Sequence, residues 1–209
     1  YDGVLSADGA TAAYPLSRGT EAGWARFAGL DATPGAGGAM SAALFGDADF
    51  DLSAFDPDAD VAAARSSAMA EVYEADDAAI DAFLQNGGKL ILWHGFNDPG
   101  PSPIGTLGYY RAVLAETAPG SAAADGVRLF LAPGVGHCRG GPGPDRIDFL
   151  SALETWVEDG VAPEEVTATK ADSDLSWPLC AYPKLPKGAA RADGGEGADR
   201  MVGGAEDDT

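Results

Sequence analysis

Two short apolar runs, each followed by a turn rich in glycine and proline, dominate the hydrophobic pattern of the chain. They predict one strand over residues 89–94 and another over residues 127–132. Unbroken apolar runs of this length are typical of strands buried on both faces, as in a parallel sheet. Catalytic and binding groups of such sheets gather in the loops beyond the carboxyl ends of the strands. The two turns are therefore where a functional site is expected.

Helical periodicity surrounds these strands. Ser102-Pro103 is a favourable helix start, and apolar residues then recur at helical spacing until the turn at Pro119-Gly120. Asp77 is expected to cap a helix over residues 78–85, with Ile80, Phe83 and Leu84 on one face. The turn Asn86-Gly87-Gly88 should end that helix.

The remaining elements are weaker. A short helix is predicted over residues 60–67, and a short edge strand over residues 166–169. The last clear helix is predicted to begin near Asp145 and to stop at Gly160, with an apolar face made of Ile147, Leu150, Leu153 and Val157. The alternation of strand and helix indicates an α/β fold with a parallel sheet.

Composition divides the chain into three segments. Residues 1–68 are rich in Gly, Ala, Asp and Pro and should form a loop-rich layer, whereas residues 69–170 carry the strands and helices. Residues 171–209 read as an extended C-terminal segment, of which 185–209 are expected to be disordered. Two or three strands are few for an α/β sheet, so the sheet is expected to be incomplete within this chain.

The 209 residues carry a formal net charge of −20, with 33 acidic side chains. Nucleic acids and anionic membranes repel such a surface, so neither is expected as a partner. Adaptation to high salt and the composition bias of a GC-rich genome explain the acidity equally well. No apolar run reaches membrane-spanning length, and no signal peptide is visible. The two cysteines leave the redox compartment open.

The candidate chemistry lies in the two turns, which contain Asp98 and His137. An acid after one strand and a histidine after the next are the second and third members of a Ser-Asp-His order. In such a triad the imidazole moves a proton between nucleophile and leaving group, and the carboxylate fixes its tautomer. The alternatives are a turn-forming role for Asp98 and a loop histidine satisfied by backbone for His137.

The nucleophile is not evident. The chain has no G-x-S-x-G motif, and the nearest candidate in the right order, Ser41, follows no apolar strand and is more typical of a helix start. A rival hypothesis is a metal held by His94, Asp98 and His137. His94 ends a buried strand, however, where a structural imidazole with a backbone partner is the commoner outcome.

Five ordered blocks of the chain are similar to one known family: GGKLILWHGFNDP, GYYRAVL, VRLFLAPGVGHCRGGPGPD, ALETWVEDGVAPE and WPLCAYP. Together they resemble the C-terminal half of the tannase and feruloyl esterase family. The upstream block YPLSRGTEAGWARF resembles the segment that closes the family's inserted lid domain. The resemblance covers roughly residues 1–183. It implies the C-terminal part of a secreted or periplasmic α/β-hydrolase, preceded by the end of a lid, that cleaves esters of aromatic acids such as gallate and ferulate.

The resemblance also implies roles for individual residues. Asp98 would be the triad acid and His137 the base. Cys138 would be bonded to the cysteine that precedes the nucleophilic serine, and by the resemblance both of these would lie before Tyr1. Cys180 resembles a cysteine that pairs near the family C-terminus, but no cysteine follows it here. The partners of both thiols stay open, including a bond between them.

The family's calcium loop would likewise precede Tyr1, so no cofactor is expected in this chain. By this resemblance the chain supplies part of a serine carboxylic-ester hydrolase for small aromatic esters and, without the preceding portion, is inactive. A non-catalytic module that lacks a nucleophile is the alternative from another functional class.

Overall fold

The computed structural model describes residues 42, 45–47, 54–117 and 124–184. Packing divides the chain into two compact units: the first is Glu21–Asp77, and the second combines Tyr1–Thr20 with Ala78–Thr209. The described helices of the first are α1 (Pro57–Arg65) and α2 (Ala70–Tyr73). All the strands described below belong to the unit that continues from Ala78. Ser41 and residues 185–209 lie outside the described residues, so the predictions for them stay predictions.

Helix α1 begins three residues before the predicted segment. Its N-cap is Asp56, whose Oδ1 accepts hydrogen bonds from the amides of Asp58 and Ala59 at 2.9 and 3.0 Å. Pro57 at the first helical position has no amide hydrogen to satisfy. The cap and the proline thus define a start that the weak apolar periodicity did not show.

The two predicted parallel strands are present and paired. Strand β1 (Leu90–Gly95) lies parallel to β2 (Val127–Ala132), with Leu90 opposite Val127 and Gly95 opposite Ala132. The prediction for β2 is correct at both ends, and that for β1 is displaced by one residue. The two strands therefore end level with each other, which places the turns that follow them at one edge of the pair.

Helix α3 (Asp81–Gln85) precedes β1 and is shorter than predicted. The expectation that Asp77 caps it is wrong, because the amide of Ile80 closes a tight turn onto the carbonyl of Ala78 at 2.8 Å before the helix begins. Leu84 is buried, but Phe83 is half exposed, so only part of the predicted face is correct. The predicted end is confirmed by a left-handed backbone at the glycine of residue 87.

Helix α4 (Pro103–Glu116) connects the two strands. Its predicted start is confirmed, since Ser102 Oγ accepts the amide of Ile104 at 3.2 Å and Pro103 takes the first position. The helix ends at Glu116, before the expected Pro-Gly turn, which lies outside the described residues. In the described part of the chain, no helix combines the length and apolar character needed to cross a membrane.

Helix α5 (Phe149–Asp159) does not begin near Asp145, contrary to the prediction. Asp148 is its N-cap and accepts both the amide and the hydroxyl of Ser151, at 3.0 and 2.7 Å. A short strand, β3 (Arg146–Ile147), occupies part of the segment predicted as helix. The predicted end at Gly160, whose φ is 72°, is confirmed.

The buried face of α5 also differs from the prediction. Trp156 is buried, whereas Leu150 and Val157 are mostly exposed. Two cations face the indole: Lys89 Nζ, just before β1, lies 5.5 Å from its centre, and Arg128 Cζ, on β2, lies 5.2 Å from it. Apolar residues occur on both sides of this helix, and the largest aromatic ring occupies the inner side because it buries the most area.

An antiparallel sheet completes the fold, in the order β3, β4 (Glu165–Thr169), β5 (Ser176–Cys180). Strand β4 lies in its centre, so its prediction as an edge strand is wrong. The sequence did not predict β5, which contains Pro178 and lies within the segment that was expected to be extended. As an edge strand of the described sheet, β5 tolerates this proline, which cannot donate a ladder hydrogen bond.

Two clusters of apolar residues pack on opposite faces of the parallel pair. Strand β2 contributes alternate residues to each: Val127, Leu129 and Leu131 to one face, Phe130 and Ala132 to the other. The first cluster contains the buried face of α4, and the second contains residues of β4 and β5. Alternation of side chains along a strand explains this division. The burial of β2 on both faces was predicted, whereas residues 90–94 of β1 are only partly buried.

Candidate active site

Backbone hydrogen bonds join the two turns that follow the parallel strands. The amide of Phe96 donates to the carbonyl of Ala132 at 2.8 Å, and the amide of Asn97 donates to that of Val135 at 2.9 Å. The buried side chain of Asn97 accepts the amide of Gly134 at 3.1 Å. These bonds continue the pairing of the strands past their ends and fix one turn against the other.

Gly95 allows the two turns to approach this closely. A Cβ atom at this position would overlap the backbone carbonyls of Val135 and Gly136. Only glycine therefore fits where β1 leaves the sheet. The close approach brings the residues that follow Gly95 and Gly136, namely Asp98 and His137, to the same place.

Asp98 and His137 form a hydrogen-bonded pair. His137 Nδ1 lies 2.7 Å from Asp98 Oδ2; the Asp98 side chain is 2 % exposed and that of His137 is 48 % exposed. Because an ionised carboxylate only accepts hydrogen bonds, the proton lies on Nδ1 and the lone pair of the neutral ring lies on Nε2. This is the tautomer that a general base needs.

Asp98 also organises its own turn. Its Oδ1 accepts the amide of Gly100 at 2.8 Å, and its amide donates to the carbonyl of Gly95 at 3.1 Å. From the sequence, a turn-forming role and a pairing with His137 are alternatives for Asp98. The structure shows both, one on each carboxylate oxygen, so the turn chemistry helps to hold the carboxylate that faces the imidazole.

His94 is a second imidazole on the same carboxylate. Its Nε2 lies 3.1 Å from Asp98 Oδ2 and 3.1 Å from the carbonyl of Pro101, and its Nδ1 lies 2.7 Å from Thr106 Oγ1. The expected backbone partner is thus present. The three side chains of the metal hypothesis meet through hydrogen bonds; among the described residues, no group of three His, Cys, Asp or Glu is arranged to hold a metal.

The loop that carries His137 is held by Asp145 and Lys170. Asp145 Oδ2 accepts the amide of Gly140 at 2.7 Å, and Lys170 Nζ donates to the carbonyl of Gly141 at 2.7 Å. The hydrogen bond from Gly140, together with the Lys170 ammonium, lowers the pKa of Asp145 below its usual value. The acid that the sequence assigned to a helix start therefore fixes the loop of the candidate base.

Neither cysteine forms a disulfide in the structure. Cys138 is exposed and has a left-handed backbone with a φ of 61°. Cys180 is partly exposed on β5, and burial raises the pKa of its thiol. The two thiols are not bonded to each other, and a partner for Cys138 beyond this chain stays a prediction.

Three side chains of the site escaped the sequence analysis: Asn97, Thr106 and Lys170. Asn97 precedes Asp98 within a Phe-Asn-Asp-Pro turn, and that turn chemistry concealed its bond to a residue 37 positions away. No pattern in the sequence points to Thr106 or Lys170, because each acts through a contact that only the tertiary fold creates.

A family model described as tannase and feruloyl esterase matches residues 22–198. The chain belongs to the tannase and feruloyl esterase family. Among curated relatives, it is 43 % identical to the mono(2-hydroxyethyl) terephthalate hydrolase of Piscinibacter sakaiensis over 51 % of this chain and 18 % of that protein. It is 33 % identical to an uncharacterized esterase of Xanthomonas campestris pv. campestris over 81 % of this chain and 38 % of that protein.

Solved structures agree with this membership of the tannase and feruloyl esterase family. The fold matches feruloyl esterase B from Aspergillus oryzae with a TM-score of 0.59 and 25 % identity, over 69 % of this chain and 32 % of that one. It matches the tannin acyl hydrolase from Aspergillus niger with a TM-score of 0.56 and 25 % identity, over 69 % and 30 % of the two chains. The fold is thus α/β-hydrolase-like, and the chain spans well under half the length of these relatives.

Proposed function

We propose that this chain supplies the acid and the base of a serine carboxylic-ester hydrolase that acts on esters of aromatic acids. The observation that carries the proposal is the 2.7 Å hydrogen bond between His137 Nδ1 and buried Asp98. Membership of the family supports the ester chemistry. The names of relatives, among them a terephthalate monoester hydrolase and a probable feruloyl esterase from Arthroderma benhamiae, support an aromatic acyl group.

In the proposed mechanism, His137 Nε2 removes the proton of a serine hydroxyl as that oxygen attacks the ester carbonyl. The imidazolium then gives the proton to the departing alcohol, and a water molecule repeats the sequence to release the acid. Asp98 keeps the ring in the required tautomer and stabilises its positive charge. A triad activates its nucleophile by proton transfer alone, so the proposed reaction needs no cofactor from this chain.

The serine and the oxyanion hole would come from residues outside this chain. Two observations support this: the absence of a G-x-S-x-G motif, and the 18 % to 38 % share of the first relatives' lengths that the chain covers. Cys138, exposed beside His137, would be the tether to the nucleophile segment. Residues 1–68 would be the end of a lid, with any family calcium site elsewhere, and the enzyme would act outside the cytoplasm.

The test is to label the full gene product with a fluorophosphonate probe, to map the adduct, and to measure hydrolysis of ferulate, gallate and aliphatic esters. We expect an adduct on a serine outside residues 1–209 and faster turnover of the aromatic esters. An adduct on Ser41 would contradict the assignment of the nucleophile. Complete absence of labelling and of ester hydrolysis would favour the non-catalytic module.

A further inference from the structure

We propose that His94 and Thr106 are positioning residues for the Asp98 carboxylate, and that they set the acid limb of the pH profile of ester hydrolysis. The inference rests on the function proposed above, in which Asp98 orients the base. It concerns the imidazole and the hydroxyl that lie behind the carboxylate, on β1 and α4.

The hydrogen-bond partners of His94 determine which ring nitrogen carries the proton. Nε2 faces two acceptors, Asp98 Oδ2 and the carbonyl of Pro101, each at 3.1 Å. A carbonyl cannot donate, so Nε2 is the protonated nitrogen. Nδ1 of the neutral ring then accepts the hydroxyl hydrogen of Thr106 at 2.7 Å.

These contacts form a chain of hydrogen bonds in which Thr106 donates to His94, and His94 donates to Asp98. This chain of hydrogen bonds ends on Oδ2, the same oxygen that accepts the Nδ1 hydrogen of His137. The His94 side chain is only 13 % exposed. It can hold the carboxylate in one orientation because the sheet and α4 hold the ring itself.

Two imidazole donors on one oxygen share its negative charge. The donor from His94 withdraws electron density from Oδ2, so Asp98 attracts the His137 imidazolium less strongly than it would alone. Removal of that donor should strengthen the attraction, so in the variant the protonated, inactive form of His137 is favoured at a given pH. The acid limb of kcat/KM should therefore move to higher pH.

Other ionisable groups near His137 stay unchanged in this comparison. They are Cys138, Arg139 and Asp145 in its own loop, with Lys170 beyond β4 bound to Asp145 and Gly141. On β1 and the turn after it, Asp98 contacts His137 directly, and His94 contacts Asp98.

The experiment compares four variants of the full gene product: Thr106→Val, Thr106→Ser, His94→Leu and His94→Gln. Valine removes the hydroxyl at nearly constant shape, and serine keeps it. Leucine removes the donor to Asp98, and glutamine restores one. Outer partners that orient the ligands of a metal change activity by about 10- to 100-fold when removed, and we expect partners that orient a carboxylate to act on a similar scale. We expect a loss of that size in kcat for His94→Leu and a loss of about 3- to 10-fold for Thr106→Val.

The conservative variants should recover most of kcat, and KM should stay within about 2-fold because these side chains are proposed to act on Asp98 and not on the ester. The midpoint of the acid limb of kcat/KM should move to higher pH by about half a pH unit to one pH unit in His94→Leu. In His94→Gln it should return toward its original position. A purely structural role would lower the folded fraction without moving the acid limb.

The failures of the two proposals are distinguishable. If the parent enzyme is active and His137→Ala abolishes turnover, but Thr106→Val and His94→Leu keep kcat and the acid limb, only the present inference is overturned. If His137→Ala keeps normal turnover, the proposed triad is wrong and this inference falls with it. Should His94→Leu not fold, Thr106→Val together with Thr106→Ser decides the question alone.

Discussion

The side-chain oxygen of Asn97 accepts the backbone amide of Gly134 at 3.1 Å, and the bond is buried. It joins the turn of the candidate acid to the turn that leads to the candidate base, 37 residues later in the chain. The separation between Asp98 and His137 thus depends on a residue that takes no part in the proposed proton transfer.

Asn97→Ala should destabilise the fold because it leaves the Gly134 amide buried without its acceptor. We expect a loss of about 1–3 kcal/mol in the free energy of unfolding, measured by urea denaturation of the full gene product. Asn86→Ala, at the exposed end of α3, is the control and should cost less than about 1 kcal/mol. Equal losses in the two variants would show that the buried bond has no special importance.

Gly95→Ala should be more harmful than its single added methyl group suggests. The new Cβ would overlap the carbonyls of Val135 and Gly136, so the turns would have to separate. The expected cost is about 1–3 kcal/mol, with a loss of ester hydrolysis. Gly105→Ala in α4, where nothing lies within 4 Å of the added atom, should instead stabilise by about 0.5–1 kcal/mol. Unfolding curves of both variants test the contrast.

Asp98→Asn should lower kcat by on the order of 10⁴, since the amide can donate to the imidazole and so favours the wrong tautomer. The free energy of unfolding should change little, although kcat falls strongly. Asp172→Asn, in the exposed turn between β4 and β5, is the matched control and should keep the parent rate. Retention of near-parent turnover by Asp98→Asn would remove Asp98 from the mechanism.

Asp145 should make the stability of the protein depend on pH in the acid range. Its pKa is lowered in the folded state from a reference value of 3.8, first by the Gly140 amide and also by Lys170. The folded state therefore binds the proton less readily than the unfolded chain, and the stabilisation is present above that reference value. It is lost as the pH falls through the lowered folded pKa. Asp145→Asn should remove this dependence.

The measurement for Asp145 is the free energy of unfolding of the parent and of Asp145→Asn between pH 2 and 6, in steps of about half a unit. The difference between the two proteins should be largest at the upper end and should shrink toward the lower end. When Lys170→Met is introduced into both proteins, the difference between their free energies of unfolding should become smaller but should not vanish. Parallel curves over the whole range would contradict a lowered pKa at Asp145.

Cys138 should be bonded to a cysteine outside residues 1–209 in the oxidised full gene product. Peptide mapping without reduction should recover the Cys138 peptide linked to another, and Cys138→Ser should lower the melting temperature and the turnover together. Recovery of free Cys138, or of a Cys138–Cys180 link, would refute this pairing. Cys180→Ser serves as the control for loss of a thiol.

Features that depend on neighbouring residues could be predicted from the sequence. The apolar run over residues 127–132 predicted β2 at both ends, and Ser102-Pro103 predicted the start of α4. Glycine at position 160 predicted the end of α5, because only a residue without a side chain adopts φ of 72° at little cost. Asp98 and His137 could be predicted as candidates because each follows a strand that its own run of residues defines.

Features that depend on contacts between residues distant in sequence became visible only in the tertiary structure. It placed β4 in the centre of the antiparallel sheet, buried Trp156 in place of Leu150 and Val157, and gave Asp145 to the loop of the candidate base. It also put His94 on the carboxylate of Asp98 with Thr106 behind it. Hydrogen bonds between segments carry no periodicity that a linear pattern can show, so these contacts exist only once the chain has folded.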